Sequence, residues 1–133
     1  MSRHILAAGL IISVAYAAVH IAFSDTTLLT GAAPLRLSVR NYLGNVLGSG
    51  MVWGIFSYLM GKDFPGRWLK ALLAGTGIIV MMLALHYTLL VVFSVYNWRE
   101  AFEYNAQWFV LALISGPVLG LAGAASARFR WFD

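Results

Sequence analysis

Four long stretches of this chain carry almost no charge, and short polar connectors lie between them. The longest runs over residues 71–95, ALLAGTGIIVMMLALHYTLLVVFSV, and contains no Asp, Glu, Lys or Arg. At about 1.5 Å rise per residue, a helix of this length exceeds the ~30 Å hydrocarbon layer of a bilayer. Its polar groups, Thr76, His86, Tyr87, Thr88 and Ser94, do not form the stripe that a water-soluble helix needs. The pattern therefore predicts a transmembrane helix at 71–95, with others at 5–23, 42–60 and 108–126, the last interrupted by Pro117. In the first span, the small residues at Ala15-Tyr16-Ala17 match what a signal peptidase cuts, but the expectation is a retained membrane helix.

The connectors predict less. Residues 24–41 hold the turn formers Gly31 and Pro34, and Leu35, Leu37 and Val39 alternate with Arg36, Ser38 and Arg40. Because Pro34 also suits the first turn of a helix, an interfacial helical extension is expected there. Residues 61–70 form a polar turn around Pro65-Gly66. Residues 96–107 hold Glu100 and Glu103, with Trp98 and Trp108 placed as interfacial aromatics are.

The expected fold is an all-α integral membrane protein, a four-transmembrane-helix bundle in one domain over 1–133. Composition agrees, with 61% hydrophobic and only 11% charged positions. The absence of cysteine excludes disulfides, thiolate metal sites and cysteine nucleophiles. A net charge of +4 raises the question of nucleic acid, but the bases stand in ones and twos beside apolar spans, so no nucleic-acid partner is expected. Arg3, Lys62, Arg67, Lys70, Arg128 and Arg130 fall on one side of such a bundle, and Arg36, Arg40 and Arg99 on the other. The positive-inside rule then places both termini in the cytoplasm, most simply of a cell whose inner membrane holds the protein.

Sliding the chain on itself by 66 residues pairs His20 with His86 and aligns Ser49-Gly50, Val52 and Gly54 with Ser115-Gly116, Val118 and Gly120. Such an offset is what two tandem helical hairpins would leave, related by a pseudo-twofold axis along the membrane normal.

Two groups of residues carry candidate chemistry. His20 and His86 each lie roughly 22 Å from the terminal end of their span at helical rise, and Asn45 lies at the same depth in the second span. Tyr16 sits one turn below His20. Intramembrane ionisable groups are costly and often mark ligand or proton pathways. These four residues are the candidate site, against the simpler alternative that each imidazole is only satisfied by neighbouring polar groups. A pair of axial histidines would also suit haem b. No metal site is expected, because two histidines without a carboxylate supply too few ligands. The second group is the outer rim, where Arg36, Arg40, Glu100 and Glu103 could meet lipid head groups or a partner.

No convergent catalytic set is visible, so an enzyme is not favoured. Small residues at Gly44/Gly48, Gly50/Gly54 and Gly116/Gly120 let helices approach closely. They point first to a membrane subunit that packs on itself or on a larger complex. A small oligomeric transporter or proton-linked channel using His20, His86 and Asn45 is the alternative, and a bis-histidine haem anchor the third.

Overall fold

The computed structural model describes residues 2–22 and 42–129. Helices account for nearly all of them: α1 (Ser2–Ala22), α2 (Gly50–Lys62), α3 (Trp68–Val92), the short α4 (Trp98–Phe102) and α5 (Ala106–Arg128), with a helical stretch at 42–47 leading into α2. Four segments are long and apolar enough to cross a membrane: Arg3–Ala22, Tyr42–Lys62, Trp68–Val92 and Trp98–Arg128. The rim arginines Arg36 and Arg40, the connector at 24–41 and Arg130 lie outside the described residues.

The central helix is α3, which packs against every other helix. On one side it meets α1, on the other α5, and α2 bridges the two, while α1 and α5 scarcely meet. In α1 the buried positions Ile5, Gly9, Ser13 and Ala17 recur every fourth residue and form the stripe that faces the bundle. Ser13 Oγ donates to the Met82 carbonyl and ties α1 to α3.

At the end of the bundle nearest the termini, helices α2, α3 and α5 touch backbone to backbone. A Cβ placed on Gly75 would lie 2.6 Å from Ser57 Oγ and 2.8 Å from both Gly116 O and Gly120 Cα. A Cβ on Gly116 would come within 2.6 Å of Thr76 Cα. Gly61, Gly120 and Gly123 are likewise pressed against Gly120, Ala71 and Tyr58 backbone. Ser57 Oγ donates to the Gly116 carbonyl at 2.8 Å across this contact. Packing of this kind holds apolar helices together where lipid removes the hydrophobic drive between them.

The helices depart from the sequence pattern in two places. The second span is broken at Gly48 and Ser49, where Ser49 turns extended (φ −65°, ψ 136°) and caps α2 by accepting from Val52 N at 3.3 Å. Helix α3 stops at Val92, short of Val95, because Ser94 adopts a left-handed conformation (φ 58°). There Ser94 N donates to Val91 O and Val95 N to Leu90 O, the paired bonds that close a helix with a left-handed residue after its cap. Beyond it, Asn97 and Glu100 cap α4 reciprocally, each side chain accepting from the other's backbone N–H at 2.9 Å.

Candidate functional site

Where the glycine contacts end, large aromatic side chains take over and the helices spread apart. Between them lies a cavity of about 250 Å³ at the end remote from the termini. All four long segments contribute: Tyr16 and His20 from α1, Gly48 and Trp53 at and after the helix break, His86 and Tyr87 from α3, Asn105 and Trp108 at the start of α5. Tyr96, carried in by the turn at Ser94, adds to the wall. Among the described residues, no Asp, Glu, Lys or Arg lines the cavity.

The two histidines meet there. Their ring centroids are 5.4 Å apart with planes at 69°. Tyr16 packs against both, stacked on His86 at 4.3 Å and 14°, and tilted against His20 at 4.7 Å. Trp53 stands edge-on to His86 at 6.3 Å, and its indole Nε1 donates to Leu47 O at 2.5 Å. That carbonyl is freed by the break, so the interruption of the helix and the position of Trp53 are one feature. The break itself borders the cavity, with Gly48 and Gly50 in its wall.

His86 is 2% exposed. Its Nδ1 is buried and has no hydrogen-bond partner among the described residues.

Protein-family models, curated proteins and solved structures contain no match to this chain. Function is therefore read from the cavity itself.

Of the four candidate residues, Tyr16, His20 and His86 come together and Asn45 does not. Asn45 is exposed and lines no part of the cavity, because the break at Gly48 and Ser49 resets the angular phase between residues 42–47 and α2. A haem between the histidines does not suit the arrangement, since Tyr16 lies against both rings and leaves no slot for a macrocycle between them. On the rim, Glu100 is taken up by the α4 cap, and Glu103 pairs with Arg99 at 2.7 Å. Sequence reasoning missed Trp53, Tyr87, Asn105 and the helix break. Only the break left a local trace, a serine between two glycines at 48–50, the composition of a helix cap.

Proposed function

We propose that this chain is an integral membrane protein that binds a small molecule in the cavity between its four spans, as the substrate site of a small transporter. The observation that carries this reading is the meeting of Tyr16, His20 and His86 in a cavity bordered by a broken helix. Aromatic walls with a few converging polar groups are the usual lining of a small-molecule site.

The positive-inside distribution of bases supports cytoplasmic termini, which puts the cavity in the outer half of the membrane. Below it, the backbone contacts at Gly61, Gly75 and Gly120 leave no room for a continuous pore, so a pocket is favoured over an open proton channel. Of the glycines that suggested a subunit docking through small residues, Gly48, Gly54, Gly116 and Gly120 make close contacts within the chain, while a Cβ at Gly44 or Gly50 would meet nothing within 4 Å. The tandem-hairpin reading is supported by His20 and His86 reaching one cavity from parallel helices. Against it stands unequal packing, with α3 and α5 in long contact and α1 and α2 in little.

The test exploits the cysteine-free sequence. Ala112→Cys, in the cavity wall, is compared with Ala124→Cys, which is equally buried but lies in the tightly packed end. Methyl methanethiosulfonate, small enough to enter, attacks the thiolate that a hydrated cavity permits. We expect Ala112→Cys to be modified in the folded protein and Ala124→Cys only after unfolding. Equal inertness of the two would remove the cavity and with it this function.

A further inference from the structure

The cavity wall is not equally enclosed all round. Its α3 side is buried at Ile79, Leu83 and Tyr87. The edge between α2 and α5 differs, for Gly50 is exposed there, Trp108 is 46% exposed and Leu111 51%. A glycine has no side chain to turn outward, so the exposed surface of Gly50 and its share of the wall are one stretch of backbone. The cavity opens beside it.

The level of this opening decides what it faces. At helical rise Gly50 stands about 18 Å from Lys62, and Leu111 about 25 Å from Arg128, the bases that end their helices. Both levels fall within a hydrocarbon layer of about 30 Å. The surrounding surface agrees, since Met51 and Ile55 on α2 and Val110, Ile114 and Val118 on α5 are exposed and apolar. An opening in such a belt meets acyl chains.

Farther in, the wall becomes polar. Tyr16, Tyr87 and Tyr96 line the cavity, and their hydroxyls make no hydrogen bond among the described residues. None of the three is sealed in as His86 Nδ1 is. Leaving such groups unmet in an apolar interior is costly, so an occupant that satisfies them carries a polar group as well as the apolar body that the rim admits.

Resting on the membrane placement and binding function proposed above, we infer that the cavity is filled sideways from the bilayer, through the opening between Gly50 and Leu111, by an amphipathic molecule dissolved in the membrane. Its polar group bonds the tyrosine hydroxyls, and its apolar body leads back to the rim.

The route is tested on the full chain in nanodiscs, with the single thiol of Ala112→Cys as reporter. Two methanethiosulfonates of the same shape are compared: the trimethylammonioethyl reagent, which its charge confines to water, and the 3,3-dimethylbutyl reagent, which dissolves in lipid. Each rate is divided by that at Arg67→Cys, an exposed position at the N-cap of α3. We expect the uncharged reagent to be at least about tenfold faster at Ala112→Cys, because hydrocarbon bars a cation by more than that factor. Equal normalised rates would put the opening in water and overturn the inference. That comparison alters no residue of the rim. Gly50→Leu, where the described residues leave space for a side chain, should narrow the opening and slow the uncharged reagent several-fold; an unchanged rate would also overturn it. The occupant is tested by protection of the same thiol. At matched concentration in the bilayer, hexan-1-ol should protect about tenfold better than 1-chlorohexane, the scale of one hydrogen bond. Equal protection by the two, or none, would overturn the amphipathic assignment. Modification by methyl methanethiosulfonate reports only that the cavity exists, so failure of the route or of the occupant is separable from failure of the binding function.

Discussion

Replacing Gly75 with alanine tests how the packed end of the bundle is built. The added methyl would meet Ser57 Oγ at 2.6 Å and two backbone atoms of α5, Gly116 O and Gly120 Cα, at 2.8 Å. Ordinary contact begins at 3.4 Å, so α3 must withdraw from α5 by about 0.6 Å or the backbone must bend. Overpacking of this kind costs about 1–3 kcal/mol. Against it stands the intrinsic helix preference of alanine over glycine, about 1 kcal/mol, which would blur a measurement on Gly75 alone. Gly77 on the same helix supplies the control, because nothing lies within 4 Å of a Cβ there. Both Gly75→Ala and Gly77→Ala gain the helix preference, and only the first meets the clash. The difference between the two variants should therefore be about 1–3 kcal/mol, or roughly 5- to 150-fold in the unfolding equilibrium. Reversible unfolding in mixed micelles of dodecylmaltoside and dodecyl sulfate, followed by tryptophan fluorescence, reads it directly. If Gly75→Ala unfolds at the same detergent ratio as Gly77→Ala, the helices are not held by close backbone contact and the reasoning fails.

Three further outcomes are expected. Ser57→Ala removes the 2.8 Å bond to the Gly116 carbonyl between fully buried partners and should lower stability in the same assay by about 0.6 kcal/mol, the average for interhelical hydrogen bonds in membranes. Asn97→Ala removes half of the reciprocal cap on α4 at a local cost of about 1 kcal/mol. Faster amide exchange over Arg99–Phe102 with unchanged global unfolding would show this, and unchanged exchange would contradict it. Gly48→Ala would set a methyl 2.5 Å from the Tyr16 hydroxyl, so Tyr16 should leave its stack on His86. Near-ultraviolet circular dichroism should change while helix content does not; an identical spectrum would mean that Gly48 does not position Tyr16.

The spans and the common depth of His20 and His86 were legible because each follows from length and rise along a single helix. The interruption at Gly48 and Ser49 was not, since hydropathy is the same whether an uncharged run continues as one helix or is cut and capped. That single break explains the misplacement of Asn45, whose expected facing assumed an unbroken helix. The end of α3 was read three residues too far along because its left-handed closing residue is Ser94, where glycine would have been the usual signal. Tyr87 reaches the cavity from α3, and Asn105 and Trp108 from the start of α5, and no local pattern encodes which helices will be neighbours.

The two ends of the bundle put opposite demands on the same helices. Near the termini, Gly61, Gly75, Gly116 and Gly120 bring α2, α3 and α5 so close that any side chain larger than hydrogen must displace backbone. Toward the other end, Tyr16, Trp53, His86 and Trp108 replace glycine at the inner positions, and their bulk holds apart what the glycines draw together. Helices joined tightly at one end and propped open at the other enclose a space between the props. A continuous α2 would carry its backbone past that space with every N–H satisfied. The break at Ser49 instead leaves a helix start at the cavity wall, with Trp53 bonded to the carbonyl that the break releases. In an apolar interior each unmet backbone group costs several kcal/mol, so the bonds made by Ser49 and Trp53 at the break offset part of what the interrupted helix gives up.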